Sequence, residues 1–326
     1  MMSPYFLGYA NQCSYGCKMP RLGTTDGQKA FIPIPSLAEQ RRIVAALDKH
    51  LALVDEIERN QAGIESLFSQ LKSKVLDLAI RGELTERDPG DEPASELLAR
   101  IHEEKLTMVE RGELKPKDAK GDTVIYAGSD GLRYEKPADG KGEPRCIEDE
   151  IPFELPEGWA WARLNSLVNT CGGKTPAKSN NAYWDGGGIP WITSKDMKAT
   201  RLYGSQVEIS ELAAQEMTLI PPESLLVVVR SGILRRVLPV SINMVETTVN
   251  QDLKALIPFE TKFAQWLYLC FSAWDKKIRD TYHKDGTTVD SIEFDRMLAM
   301  LLPIPPLTEQ RRIAEVVESI FAVTNL

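Results

Sequence analysis

One phrase of twelve residues occurs twice in this chain. Residues 32–43 are IPIPSLAEQRRI and residues 302–313 are LPIPPLTEQRRI, so nine of the twelve positions are identical. Proline presets the backbone of a first helical turn and lacks the amide hydrogen that this turn leaves unpaired. Each copy, with Pro-x-Pro before Glu-Gln-Arg-Arg, therefore predicts the end of a globular unit and the start of a helix. Solenoid repeats recur every 20–50 residues or so, and this longer period indicates a duplicated domain.

The similarity extends upstream of both copies. The triplet Gly-Thr-Thr at 23–25 precedes the first copy, and the same triplet at 286–288 precedes the second. Tyr5–Leu7 also matches Leu267–Leu269. We interpret residues 1–31 as the tail of a domain whose complete version occupies 151–303, and we expect the chain to be a truncated form of a longer arrangement.

A long helix is predicted after the first copy. Between Ser36 and Arg81 there is no proline, and Gly63 is the only glycine. Apolar residues recur at alternating steps of four and three over about five heptads, a period that predicts a coiled coil. Ser36 and Glu39 have the spacing of a capping box, and Gly82 suits a helix end. The predicted helix–helix and subunit-interface positions are Ile43, Leu47, Val54, Ile57, Ile64, Phe68, Leu71, Val75, Leu78 and Ile313.

Two polar residues, His50 and Gln61, interrupt this apolar seam. We interpret them as positions that fix the register of helix pairing rather than as ligands. The partner helix is predicted to begin at Pro306, and about five turns of it are present. Much of the seam is then left without a mate inside the chain, so we expect another subunit or a second copy of the chain to cover it.

The charge of the chain is concentrated in one segment. Residues 83–150 contain nineteen acidic and eleven basic residues, which accounts for the whole formal net charge of −8. We predict an acidic linker here, with one short helix from Ala94 to about Glu113 and a mobile connection after Lys115. The segment 151–303 is close to neutral, so a nucleic-acid-binding face on it requires clustered basic residues.

Residues 151–303 alternate aromatic and β-branched runs with glycine and proline turns, which is typical of short strands. The fold class is predicted to be α+β, a globular domain with short strands and long loops, together with the long coiled-coil helix. A helix is predicted at 262–279. The strands are predicted at 159–164, 189–193, 224–229, 237–242 and 253–257.

This layout resembles the DNA-specificity subunit of type I restriction-modification systems, in which two target-recognition domains alternate with two conserved helical regions. The resemblance rests on the repeated phrase and on Leu155–Leu164, Gly172–Pro176, Ile189–Ile192, Asp196–Met197, Val229–Gly232 and Val249–Asp252. It divides the chain into the tail of a first recognition domain (1–31), a conserved coiled-coil helix (32–82), the linker (83–150), a complete recognition domain (151–303) and the start of a second conserved helix (304–326).

Three loops of the domain at 151–303 concentrate hydrogen-bond donors, at 172–181, 230–236 and 283–288. Arginine can bind guanine O6 and N7 with two hydrogen bonds, asparagine and glutamine can bind adenine in the same way, and lysine and threonine bind phosphates. The predicted DNA-binding residues are Lys174, Thr175, Lys178, Lys195, Arg230, Ser231, Arg235, Arg236, Asn250, Gln251, Lys284 and Thr287. Asn250 and Gln251 could instead cap a turn. At most one of Arg235 and Arg236 is expected to face DNA.

Catalytic and metal-binding patterns are not found. A phosphate loop ending at Gly173-Lys-Thr needs glycine at 168, where the chain has Val. The three histidines lie far apart, and Cys13 and Cys17 have no second pair at zinc-binding spacing. We therefore predict a non-catalytic chain with no metal site. Five scattered cysteines and the lack of an apolar run of ~18–20 residues predict a cytoplasmic protein without a membrane segment.

The resemblance implies a subunit that recognises half of a bipartite double-stranded DNA target and docks methyltransferase subunits. It also implies a restriction subunit as a further partner, with S-adenosylmethionine and ATP bound only on those partners. The alternative is a coiled-coil assembly protein, or an inactive truncated remnant, without DNA recognition of its own.

Overall fold

The computed structural model describes residues 4–16, 20–286 and 289–324. The chain divides into two compact units, Met1–Leu67 and Phe68–Leu326. Helices and sheets are mixed along the chain and one helix is 45 residues long, so the predicted α+β fold with a long helix is confirmed. In the part of the chain that is described, none of the helices is long and apolar enough to cross a bilayer. The thiols of Cys13, Cys146, Cys171 and Cys270 are free.

The helices range from a single turn to twelve turns. They are α1 (Pro4–Cys13), α2 (Thr24–Gln28), α3 (Leu37–Arg81), α4 (Ala94–Glu110), α5 (Pro116–Lys120), α6 (Leu164–Leu167), α7 (Glu211–Ala214), α8 (Phe263–Ala273), α9 (Asp275–Tyr282), α10 (Phe294–Met297) and α11 (Leu307–Thr324).

The strands are short, as the sequence predicts. They are β1 (Thr123–Ala127), β2 (Arg133–Pro137), β3 (Arg145–Cys146), β4 (Ala160–Arg163), β5 (Val168–Gly172), β6 (Ile189–Ile192), β7 (Arg201–Leu202), β8 (Glu208–Ile209), β9 (Ser224–Val228), β10 (Val240–Asn243), β11 (Thr248–Val249), β12 (Leu253–Pro258), β13 (His283–Lys284), β14 (Ser291–Ile292) and β15 (Leu301–Ile304).

The central sheet of the second unit has the order β5-β12-β9-β10-β7. Its strands are antiparallel except for the pair β10 and β7. Smaller sheets flank it, with the orders β11-β6-β8, β13-β14 and β15-β4. Helix α8 packs on β9 and β10 and contributes Trp266, whose Nε1 donates to the carbonyl of Pro303 at 2.9 Å. One hydrophobic core thus joins the central sheet, α8 and β15.

Helix α3 begins and ends where the sequence predicts. The backbone N–H of Glu39 donates to Ser36 Oγ at 3.3 Å, which caps the first turn. At the other end Gly82 has φ of +70°, and the N–H of Glu83 donates to the carbonyl of Leu78 at 3.0 Å. This is a Schellman closure, and it needs glycine because an added Cβ would lie 2.6 Å from Pro156. At 1.5 Å per residue the helix is about 68 Å long.

The predicted interface positions of α3 differ in burial along its length. Val75 is buried in the core of the second unit, together with Ile313 of α11, and Leu78 is half-buried. In this unit the Lys72 ammonium also lies 5.4 Å from the ring centre of Phe321 in α11. The remaining positions are exposed: Ile43, Leu47, Val54, Ile57, Ile64, Phe68 and Leu71. Whether a partner covers them stays a prediction.

The segment 83–150 corrects one expectation. Its first half contains α4, as predicted, but the part after Lys115 forms α5 and the three-stranded sheet β1-β2-β3 instead of a mobile connection. Glu135 of β2 is buried and accepts hydrogen bonds from Arg163, Arg145 and Thr123 at 2.7–2.9 Å. The predicted mobile connection after Lys115 is therefore wrong, because several of the acidic residues form ion pairs within the fold.

The predicted helix at 262–279 is interrupted. Its two pieces, α8 and α9, meet at Trp274, and Leu238 N–H donates to Asp275 Oδ1 at the start of α9 at 2.5 Å. Trp159 and Trp161, on the predicted strand at 159–164, are both buried in the hydrophobic core.

Candidate nucleic-acid interface

A tight turn at 250–252 lies at the centre of the predicted DNA-binding loops. Asn250 Oδ1 accepts from the Asp252 N–H at 3.1 Å, and Asn250 Nδ2 donates to Asp252 Oδ2 at 3.1 Å. The Asn250 N–H also donates to the carbonyl of Ile192 at 3.1 Å, which brings the loop carrying Lys195 beside this turn. Asn250 is only 7% exposed. Its amide is therefore occupied inside the turn, which favours the capping alternative over the predicted contact with a base.

The loop after β5 is fixed to this turn and to two tryptophans. Thr175 Oγ1 donates to Gln251 Oε1 at 2.7 Å, Trp191 Nε1 donates to the carbonyl of Lys174 at 3.1 Å, and Trp184 Nε1 donates to the carbonyl of Ala177 at 3.2 Å. The indole rings of the two tryptophans form an edge-to-face pair with centres 5.3 Å apart. The loop is thus held in one conformation by side chains behind it.

Gly173 lets this loop approach the turn closely. A Cβ on this residue would lie 1.7 Å from the carbonyl oxygen of Val249, so no larger residue fits without moving the backbone. From sequence, this glycine belonged to a donor-rich loop and to a phosphate-loop pattern that lacks its first glycine. Its role in the structure is close backbone approach.

The second loop, 230–236, connects the turn to the third loop. The N–H groups of Val229 and Arg230 donate to the carbonyl of Asp252 at 2.9 and 3.2 Å, and the Ser231 N–H donates to the carbonyl of Asp290 at 3.0 Å. Ser231 Oγ also accepts from the Ile233 N–H at 3.4 Å. Ser231 therefore caps the short helical turn at 232–235, a structural role in addition to the predicted contact with DNA.

Asp290 is a charged residue outside the predicted DNA-binding set. It is fully buried, and its carboxylate accepts from Arg235 Nε at 2.6 Å and from Arg235 Nη2 at 3.2 Å. The hydrogen bonds from Arg235 lower the pKa of Asp290 to about 2. The same bonds raise the pKa of Arg235. The ion pair is therefore fully charged at neutral pH.

The predicted basic residues lie on the surface of these hydrogen-bonded loops. Lys174, Lys178, Lys195, Arg230, Arg236 and Lys284 are all exposed. Within 4–16, 20–286 and 289–324, none of these side chains makes a hydrogen bond or an ion pair. Unpaired cations on neighbouring loops are suited to binding phosphates. Thr287 lies outside the described residues, so its predicted contact is not located.

Three possible metal ligands lie close together in the third loop and just after it. The ligand atoms of His283, Asp285 and Asp290 are within 4.8 Å of one another. Both carboxylate oxygens of Asp290 already accept hydrogen bonds from Arg235. A bound cation would have to displace this guanidinium, so the donor set fits an arginine better than a metal ion.

Comparison with known proteins gives consistent matches. A family described as type I restriction modification DNA specificity domain matches residues 156–326. The specificity subunit of the type I restriction enzyme EcoR124I/EcoR124II from Escherichia coli is 36% identical over 167 residues, which are 51% of this chain and 41% of that protein. The EcoAI specificity subunit from Escherichia coli is 33% identical over 183 residues, covering 44% of this chain and 27% of that protein.

The fold also matches a solved structure, which is described as "Structural basis underlying complex assembly and conformational transition of the type I R-M system". The TM-score is 0.54 at 19% sequence identity, over 99% of this chain and 62% of the other. The chain spans less than half the length of the two specificity subunits named above.

Proposed function

The chain belongs to the type I restriction-modification DNA specificity domain family, and on this premise we propose that it recognises one half of a bipartite double-stranded DNA target and is not itself catalytic. The observation that carries this proposal is the continuous surface formed by the three loops and the turn at 250–252. Exposed lysines and arginines supply contacts to phosphates there, and Gln251 and the arginines supply donors for base edges. S-adenosylmethionine and ATP are expected only on partner subunits.

A selection with randomised duplex DNA tests the proposed recognition. The full chain, alone and together with its methyltransferase subunits, is mixed with a duplex library, and bound DNA is recovered and sequenced. Enrichment of a defined motif of about three to five base pairs is the expected result, because a few bidentate contacts suffice for a half-site of this size. If neither preparation enriches a motif, the chain is not a recognition subunit.

Variants of two unpaired basic residues locate the contact surface. Lys174→Ala and Arg230→Ala should weaken binding, with the slope of log affinity against log salt reduced by about one unit per lost phosphate contact. Lys276→Ala is the matched control, because Lys276 is an exposed lysine of α9 outside the three loops. Equal affinity of all three variants and the wild type would remove these loops from the interface.

We further propose that the exposed apolar positions of α3 bind another protein, either a methyltransferase subunit or a second copy of this chain. Seven predicted seam positions lie on this helix with their side chains exposed. A helix stripe of this kind is stabilised by packing against a partner. A restriction subunit would join the assembly, and a cytoplasmic location is part of the same proposal.

Sedimentation measures this association. The wild type at micromolar concentration should sediment as an oligomer, or form a complex when the methyltransferase subunit is added. Ile57→Lys places a charge in the middle of the stripe and should weaken association at least tenfold, whereas Glu58→Lys changes the charge beside the stripe and serves as control. A wild type that remains monomeric with and without the methyltransferase contradicts the proposal.

A further inference from the structure

Arg235 and Arg236 are adjacent and exposed, but only Arg235 is held by another side chain. Asp290 binds Arg235 through two hydrogen bonds, at 2.6 and 3.2 Å, whereas Arg236 forms no ion pair in the described part of the chain. The side chain of Arg235 is 69% exposed although Asp290 is not exposed at all. The guanidinium is therefore fixed at the surface by a carboxylate beneath it.

The hydrogen bonds to Asp290 use one edge of the guanidinium. Nε and one N–H of Nη2 point to the carboxylate, which leaves both N–H groups of Nη1 and the second N–H of Nη2 without an acceptor in this pair. These remaining donors form the end-on fork that spans guanine O6 and N7 in the major groove. An arginine held in this way loses little side-chain freedom when it meets a base.

We propose that Arg235 is a base-recognising residue specific for guanine and that Asp290 is the residue that positions it. This inference rests on the proposed DNA recognition. It replaces the expectation that at most one of the two adjacent arginines faces DNA, because both side chains are exposed, and it gives them different roles. Arg236, which no carboxylate orients, binds the DNA backbone and contributes affinity without sequence preference.

Asp290 is itself fixed from several sides. Its carbonyl accepts from the Ser231 N–H at 3.0 Å, and its Oδ1 lies 3.5 Å from the N–H of Gly286. The N–H of Ile292 donates to the carbonyl of Val229 at 2.8 Å, so both sides of the loop pair are hydrogen-bonded. His283 Nε2 lies 3.4 Å from Asp290 Oδ2. The carboxylate is thus part of the rigid frame, and the arginine is the part that reaches solvent.

Base preference at each position of the enriched motif provides the test. The full chain, with its methyltransferase subunits if binding requires them, is selected on randomised duplex DNA as wild type, R235A, R235K, D290N, the double variant R235A/D290N and the control R236A. R235A should reduce the preference for guanine at one position by roughly 5- to 150-fold. R235K keeps the charge but loses the fork, and it should lose most of the same preference.

D290N should reduce preference at that same position, and the double variant should be no worse than R235A, because Asp290 acts only through Arg235. R236A should lower the affinity for all sequences alike and reduce the salt dependence of binding. A purely structural role of Asp290 would instead weaken every position together. Thermal unfolding of each variant checks that it folds. If D290N does not fold, the base preference of R235K decides the question.

Two results overturn the inference by different routes. If the wild type enriches a motif and R235A keeps the same base preference at every position, Arg235 does not recognise a base and the proposed function stands. If the wild type enriches no motif, the proposed function fails and this inference fails with it.

Discussion

In the copy of the repeated phrase at 302–313, Ile304 and Ile313 are completely buried, whereas the matching Ile34 and Ile43 of the copy at 32–43 are 81% and 42% exposed. The residues before the helix differ as well. Residues 301–304 form β15, which pairs with β4, but residues 30–36 form no regular element. Nearly the same sequence is therefore part of a hydrophobic core in one place and exposed in the other.

Two local hydrogen bonds are nevertheless common to both copies. Gln40 Nε2 donates to the carbonyl of Pro35 at 2.9 Å, and Gln310 Nε2 donates to the carbonyl of Pro305 at 3.0 Å. The backbone N–H of each glutamine donates to the carbonyl four residues earlier, at 2.9 and 3.0 Å. The phrase thus encodes the turn into the helix by itself, and the strand before it forms only where β4 and Trp266 of a surrounding domain are present.

The largest difference between the copies, in the free energy of unfolding, is expected for matched isoleucine-to-alanine substitutions. Ile304→Ala should lower the free energy of unfolding by about 2–5 kcal/mol, because it removes buried methyl and methylene groups. Ile34→Ala should stay within about 0.5 kcal/mol of the wild type, because Ile34 is exposed. Urea unfolding followed by tryptophan fluorescence measures the first variant, since all six tryptophans lie between 159 and 274. Far-UV circular dichroism measures the second. Equal losses would mean that the first copy is also packed.

A smaller difference in the free energy of unfolding, which depends on pH, is expected for the matched residues Glu39 and Glu309. Glu309 is buried and accepts from Trp159 Nε1 at 2.9 Å, whereas 44% of the Glu39 side chain is exposed. Burial raises the pKa of Glu309, with the Trp159 hydrogen bond opposing the shift. The carboxyl therefore contributes its full stability below its unfolded pKa of about 4.3 and loses it as the pH rises through its folded pKa.

Glu309→Gln stays neutral and keeps an acceptor for Trp159, so it should gain stability relative to the wild type as the pH rises from about 4 upward. Urea unfolding at a series of pH values measures this difference. Glu39→Gln is the matched control in the exposed copy. A Glu309→Gln curve parallel to that of the wild type would show that Glu309 does not titrate in a buried site.

The smallest difference is expected for the shared glutamine. Gln310→Ala removes a buried hydrogen bond and should cost about 0.5–1.5 kcal/mol. Gln40→Ala removes the same bond near solvent, where water replaces the donor, and should cost a few tenths of a kcal/mol. Chemical unfolding of the two variants compares them. If Gln40→Ala is the more costly, the turn into α3 depends on this bond more than the turn into α11 does.

Features set by neighbouring residues were predicted well from sequence. The ends of α3 follow from Ser36 and Gly82, and the five predicted strands lie within about three residues of β4, β6, β9, β10 and β12. The sheet at 123–146 was missed because its acidic residues suggested a solvated linker. Glu135 is instead satisfied by Arg163, twenty-eight positions later in the chain.

The candidate site, too, could be predicted only in part from the sequence. The three loops were found from their donors, but residue type cannot show which donors are already occupied. The amide of Asn250 is used inside its own turn, and Asp290 binds an arginine that is 55 positions away in the sequence. Only the folded arrangement of β12, β14 and the loop at 230–236 brings these groups together.

The close approach of Gly173 to the Val249 carbonyl has a practical consequence for engineering. New loops grafted between β5 and β6 to change the preferred bases need glycine at their first position after the strand, or the graft will push against the turn that carries Gln251. Diversity introduced from Lys174 onward leaves the contact between Gly173 and the Val249 carbonyl intact. A library randomised at 174–181 should therefore yield far more folded members than one that includes 173.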